Sequence, residues 1–178
     1  MTDTFDRHLA EARFQGVFSH LGAVTAYARR RGSPDADAVA AEAMTIAWRR
    51  LADVPQEDPL PWLYATARNL VLAETRRRSR RSVLREPEQA APAPGVHELD
   101  PQLEQALRSL RPLDREALLL IAWEDLTPSQ AARSLGLNPT AFRVRLLRAR
   151  SRLRASLDAA AAEDRCPPHL VHVDAEGT

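Results

Sequence analysis

The chain has 178 residues, room for one or two small domains, with 25 basic against 24 acidic side chains. A net charge of +1 does not by itself point to nucleic acid, and a single cysteine, Cys166, excludes an internal disulfide. No apolar run approaches the roughly 20 residues that span a membrane, and the acidic, polar N-terminus is unlike a secretion signal, so a cytoplasmic protein is expected.

The hydrophobic pattern is helical throughout, without strand-like alternation. Five acceptor-then-proline pairs mark helix starts: Ser33-Pro34, Asp58-Pro59, Asp100-Pro101, Thr127-Pro128 and Asn138-Pro139. Each offers a side-chain oxygen to the free N–H groups of a first turn, then a residue with no N–H to satisfy. In chain order, helices are predicted near Phe5 to Phe18, from Leu21 to Arg31 with Gly32 as the stop, and from Pro34 to about Leu51. The third carries Val39, Ala43, Ile46 and Ala47 on one face. After a polar loop, Ala52 to Asp58, a long helix begins near Pro59. Its apolar stripe is Leu63, Ala67, Leu70 and Val71, and it runs into an acid-free block: Arg76, Arg77, Arg78, Arg80, Arg81 and Arg85.

Glu86 to Val96 is proline-rich and lacks apolar periodicity, which predicts a linker. Beyond it, Leu103, Leu107 and Leu110 form one stripe, and Leu113, Ala117, Leu120 and Ile121 the next. The fold class expected is all-α: two small helical domains, 5–85 and 100–160, joined by a flexible linker, 86–99, and followed by a disordered tail, 163–178. The tail holds Cys166, His169 and His172, too few ligands to call a metal site. No cofactor motif is present.

The most informative segment runs from Thr127 to Arg154. Thr127 can cap a helix, Pro128 suits its first position, and Gln130 stands where a capping-box partner belongs. Gly136 supplies a left-handed end, and Asn138-Pro139 restarts a helix after a tight turn. That second helix carries six arginines and no acid between Arg143 and Arg154. Two helices about a glycine turn also occur in plain helical proteins. Here the arginines have no acids at helical spacing, which favours a helix-turn-helix that presents its second helix to a DNA major groove. Every basic residue is arginine, the side chain suited to bidentate phosphate and base contacts.

Several separate pieces resemble the extracytoplasmic-function group of bacterial RNA polymerase sigma factors, over about residues 5–157. Asp35 to Arg49 is similar to that family's polymerase-binding helix. Pro61-Trp62-Leu63-Tyr64 through Ala67-Arg68-Asn69, with the arginine run after it, is similar to its promoter-melting helix. Leu110 to Leu118 and Arg148-Ala149-Arg150 match the second domain. The resemblance implies a non-enzymatic subunit that binds core polymerase at a coiled coil of its largest subunit, through Asp35, Glu42, Thr45, Trp48 and Arg49. It implies capture of a minus-ten base by Asn69 and the loop Ala52 to Asp58, with Trp62 and Tyr64 flanking. Arg76, Arg77, Arg78, Arg80 and Arg81 would hold the backbone there. Thr140, Arg143, Val144, Leu147 and Arg148 would face the minus-thirty-five groove, and an anti-sigma factor would mask these surfaces.

The residues alone leave alternatives open. Trp48 and Trp62 read first as core side chains, Asn69 equally as an internal bundle bond, and Phe142 as packing for the turn. The chain departs from the family pattern at Ala38, Ala41 and Ala73, and at Thr140-Ala141-Phe142, so a relative's promoter preference does not transfer. A stand-alone dimeric regulator would need a free apolar stripe for dimerisation, and none is evident. A sigma mimic that only sequesters an anti-sigma factor would have no need of the arginine helices. No phosphate loop or nucleophile motif suggests an enzyme.

Overall fold

The computed structural model describes residues 2–82 and 100–163, with eight α-helices and no strand among them. The expected linker at 86–99, the tail with Cys166, His169 and His172, Arg85 and the side chain of Arg81 lie outside the described residues. The first half comprises α1 (Thr2–Phe18), α2 (Leu21–Arg30), α3 (Ala36–Arg49), a 3-10 turn at Leu51–Asp53, and α4 (Leu60–Ser82). The second comprises α5 (Pro101–Ser109), α6 (Pro112–Ala122), α7 (Pro128–Ser134) and α8 (Pro139–Glu163).

In the first half, α2, α3 and α4 pack on one another and α1 lies against α3. Ala40, Ala43 and Ala47 are wholly buried on α3 and let its neighbours approach closely, with Val24 and Tyr27 from α2 and Leu63 and Ala67 from α4 completing the core. In the second half α5, α6 and α7 all pack on α8, around Leu107, Leu120, Ala131, Ala132, Phe142, Leu146 and Ala149. Phe142 has no exposed surface, as its position after the turn predicts.

The helix ends follow local chemistry. Asp100 accepts from the Gln102 and Leu103 N–H groups at the start of α5, at 2.9 and 3.3 Å. Thr127 and Gln130 form the capping box of α7. Asn138 Oδ1 accepts from the Thr140 N–H at 2.8 Å as α8 begins. Gly32 and Gly136 turn with φ of +78° and +62°, the left-handed region that closes a helix at low cost only for glycine. The start of α3 differs from expectation. Asp35, not Ser33, is the cap, accepting from the Ala38 N–H at 2.9 Å. Ser33 is buried and donates to Glu74 of α4 at 3.0 Å, a partner 41 residues away that outcompetes the local role.

The two halves do not sit apart. α4 packs directly on α7, and side-chain bonds join α2 to α6 and the turn after it. Two mutations separate packing from backbone strain in the second half. Phe142→Ala is expected to cost about 3–5 kcal/mol on urea unfolding. Gly136→Ala meets no atom within 4 Å of the added methyl, so only the left-handed backbone penalty of about 1–2 kcal/mol is expected. Equal losses would contradict this division.

Candidate nucleic-acid interface

The second helix of the turn motif shows two faces. Phe142, Leu146 and Ala149 point into the core, while Thr140, Arg143, Val144, Leu147 and Arg148 are all exposed. Their spacing of 0, 3, 4, 7 and 8 puts them in one row along the outer side of α8. Leu147 is 70% exposed and Val144 43%, unusual for large apolar groups, and each lies beside an arginine. An open groove of about 610 Å³ borders Thr140, Val144 and Arg148 of this row on the side facing α6, where Arg111, Asp114, Arg145 and Arg152 also line it.

The six arginines of α8 are not equivalent. Arg145 and Arg152 turn back to Asp114, a buried carboxylate on α6, with Arg145 Nη1 at 2.7 Å from Oδ1 and Arg152 on Oδ2. These two hold α8 on α6. Helical spacing within α8 does not show this pairing, because the acid stands on α6. The usable signal was an acid at Asp114 inside an apolar stripe, since a buried carboxylate needs a cationic partner.

On α4, Asn69, Arg76, Arg77, Arg78 and Arg80 are exposed along the helix, the arginines in its C-terminal part. Arg78 pairs with Glu74, whose other oxygen receives the Ser33 hydroxyl, so Glu74 ties α4 to the α2–α3 turn. Trp62 is half-buried against the core. Tyr64 departs from its expected place on this surface. It is 4% exposed and stacks on Tyr27 with ring centroids 4.9 Å apart, because its register on α4 is that of the apolar stripe and not of Asn69. In the loop 52–58, Val54 is buried and its carbonyl accepts from Arg13 at 2.6 Å. Asp58 accepts from Gln130 Nε2 at 3.1 Å and pairs with Arg133, both on α7.

On α3, Asp35, Glu42, Thr45 and Arg49 are exposed in a row of alternating three- and four-residue steps that also contains Ala38. Asp35 is occupied as the helix cap, and Thr45 donates to the Ala41 carbonyl at 2.9 Å. Trp48 is 44% exposed, not core. It meets Phe14 of α1 edge-on at 5.1 Å, and Phe14 meets the exposed Phe18, so an aromatic cluster adjoins the α3 row.

The largest group of charges that sequence reasoning missed lies between the halves. Arg31 reaches Glu116 at 3.0 Å and Glu124 at 3.0 Å, with its side chain 8% exposed and that of Glu124 1%. Arg30 pairs with the other oxygen of Glu124, the Tyr27 hydroxyl donates to Glu116 at 2.8 Å, and the Arg31 guanidinium lies 4.3 Å over the Tyr27 ring. Burial works against the Arg31 charge, but Glu116, Tyr27 and Glu124 outweigh it, and its pKa lies above the ordinary arginine value. Burial, with Glu116 next, raises the Tyr27 hydroxyl well above its usual range; burial, with Glu124 next, pushes Tyr64 up to about 12. Within α6 the signal was again an acid, Glu116, set among leucines.

A family profile described as Sigma-70 region 2 matches residues 17–81, and one described as Sigma-70, region 4 matches residues 101–153. The chain belongs to the sigma-70 family. It is 36% identical over 132 residues to a probable RNA polymerase sigma factor, RfaY, of Xanthomonas campestris pv. campestris, over 67% of this chain and 33% of that protein. The chain thus spans about a third of the length of that curated relative. The solved structure of CnrH in complex with the cytosolic domain of CnrY superposes with a TM-score of 0.59 at 29% identity, over 86% of this chain and 97% of that one. The sigma factor RpoE in complex with the anti-sigma factor NepR, from Bartonella quintana, has the same TM-score at 24% identity, over 81% and 95%, and speaks to the fold alone. In the sigma-family frame, α4 belongs to region 2 and the helix-turn-helix, α7 and α8, to region 4.

The two tyrosines of this chain are its only ones, and the fold holds both in the protonated form above the usual range. A folded pKa raised above the unfolded value near 10 contributes stability in full below pH 10 and loses it as pH rises toward 12. Ultraviolet titration is therefore expected to show almost no tyrosinate at pH 10.5 (about a half-unit above the free value), with stability falling steeply beyond. An ordinary midpoint near 10 for either ring would contradict the packed arrangement.

Proposed function

We propose that this chain is a promoter-specificity subunit: it binds core RNA polymerase, reads a minus-thirty-five element with α8 and a minus-ten element with α4, and starts transcription. The observation that carries this reading is the pairing of two exposed arginine-bearing surfaces, one on each half, each on the helix that the family uses for DNA. On α8, Arg143 and Arg148 suit bidentate guanine contacts, each good pair worth about 1–3 kcal/mol of discrimination. Val144 and Leu147 between them suit thymine methyl groups. Thr140, at the start of α8, suits phosphate.

On α4, Asn69 offers an amide to the Watson–Crick edge of an unstacked base, and Arg76, Arg77, Arg78, Arg80 and Arg81 would neutralise the backbone beside it. Trp62 sits at the base of that surface. Tyr64 is left out of the site. Asp35, Glu42, Thr45, Trp48 and Arg49 on α3, with the aromatic cluster around Phe14, form the surface for the coiled coil of the polymerase's largest subunit. An anti-sigma factor is the natural regulator; CnrH, the solved relative at 29% identity, is held in a complex with the cytosolic domain of CnrY.

Run-off transcription with purified core polymerase on a promoter library tests the proposal. Transcripts that begin downstream of a shared pair of elements only when the protein is added are expected; their absence, with DNA binding by the protein alone, would favour a stand-alone regulator. Arg148→Ala is expected to lose about 1–3 kcal/mol of discrimination at one upstream position with the fold intact. Asn69→Ala is expected to slow promoter opening more than closed-complex binding, and equal loss of both would mean a structural role.

A further inference from the structure

The loop 52–58, proposed above to help capture a minus-ten base, is joined to its own half by little. Ala52, Asp53, Pro55, Gln56 and Glu57 are exposed, and Val54 alone is buried. Arg50 and Asp53, at the two ends of the 3-10 turn, pair with each other at 2.8 Å. Asp58 is bonded to Gln130 and Arg133, which belong to the second half. Among the described residues, one side chain from another element of the first half bonds the loop. It is Arg13 of α1, whose Nη2 donates to the Val54 carbonyl at 2.6 Å, across 41 residues of chain.

Packing does not duplicate this bond. An open groove of about 760 Å³ lies between α1 and the loop, with Leu9, Ala12 and Gly16 on one side, Leu51, Ala52 and Gln56 on the other, and Arg13 also lining it. A methyl group added at Gly16 would meet no atom within 4 Å. Where side chains do not interdigitate, a backbone segment is placed by its directional bonds. Here one guanidinium bond and one buried valine set how the loop stands over α1.

Stability does not explain Arg13. Its side chain is half-buried, no carboxylate pairs with it among the described residues, and its Nε is buried without a hydrogen-bond partner. Taking a guanidinium out of water and leaving a donor unpaired costs more than one bond to a neutral carbonyl returns. An apolar side chain of the same length would remove the bond and the cost together. Arg13 also precedes the stretch 17–81 that matches the region 2 profile, so the family match assigns it no role.

We infer that Arg13 is a positioning residue for base capture: through the Val54 carbonyl it holds the loop 52–58 in the shape that receives an unstacked minus-ten base. The inference rests on the promoter reading above. Capture must offset the cost of unstacking, and a loop already held in its receiving shape has no ordering left to do at that step. Arg13 itself touches no DNA.

Two variants of the full chain test this. Arg13→Met keeps most of the stem and deletes the donors; Arg13→Lys keeps a charged donor. Amide hydrogen exchange without polymerase or DNA reads the tie. Peptides from Leu51 to Asp58 are expected to exchange about ten-fold faster in Arg13→Met, with α3 and α4 unchanged, the thermal midpoint not lowered, and Arg13→Lys close to the parent. Unchanged exchange in the loop overturns the tie. Faster exchange throughout the first half, with a lowered midpoint, shows a structural residue and overturns the inference too.

Initiation reads the positioning. With core polymerase and a promoter that the parent opens, Arg13→Met is expected to slow opening about ten-fold, with closed-complex affinity unchanged and most of the rate recovered in Arg13→Lys. A loosened loop with unchanged opening, or equal loss of opening and closed-complex binding, overturns the inference. A parent that opens no promoter overturns the reading on which the inference rests, and the exchange result, which needs no promoter, tells that failure from failure of the tie. If Arg13→Met loses its helical circular dichroism, Arg13→Ala, a better helix former, takes its place with the same expectations. Loss of the fold in both overturns the inference, which gives Arg13 no part in stability.

Discussion

A guanidinium with 8% of its side chain exposed, Arg31, governs how this molecule is put together. Buried without partners it would be untenable, so its burial obliges Glu116 and Glu124 to be there, and those carboxylates belong to the other half of the chain. The same obligation orders the neighbouring groups. Tyr27 must direct its hydroxyl to Glu116, Tyr64 stacks behind it, and Arg30 closes on the outer oxygen of Glu124. The relative position of the two halves is thus set by matching charges and hydrogen bonds as well as by apolar area between α4 and α7.

With the inner faces committed in this way, the outer faces are left to solvent and to the partners proposed above. Each long helix is split between the two tasks. On α8 the side chains at 142, 146 and 149 are core, and those at 140, 143, 144, 147 and 148 face out. On α4 Leu63, Tyr64, Ala67 and Val71 face in, and Asn69 with the arginines faces out. The division also explains why arginine content alone misleads. Arg145 and Arg152 belong to the scaffold through Asp114, and Arg31 to the contact between halves, so a basic residue on a helix proposed to read DNA is not by that fact a DNA contact.

What could be read from the sequence was what local chemistry decides. Thr127 with Gln130, Asp100 before Pro101, Asn138 before Pro139 and Gly136 at its turn all act within four residues of themselves, and each stands where its type requires. The apolar period placed Phe142 and the α4 stripe inside. Long-range pairing was not legible. Ser33 serves Glu74 instead of the helix beside it, and Arg30 and Arg31 find acids 85 to 94 residues away. Tyr64 was drawn to the DNA surface by its motif, although its register on α4 already belonged to the buried stripe. Trp48, expected in the core, stands at its edge, because the small residues of α3 fill that core.

The most direct measurement is site-specific photo-crosslinking from the two proposed reading faces within an initiating complex of this chain, core polymerase and a promoter that it activates. A crosslinking residue at position 147 is predicted to mark duplex DNA near minus thirty-five, and one at position 69 to mark the non-template strand near minus ten. Both positions marking one stretch of DNA, or position 69 marking only duplex upstream, would contradict the assignment of the two helices to two separate promoter elements.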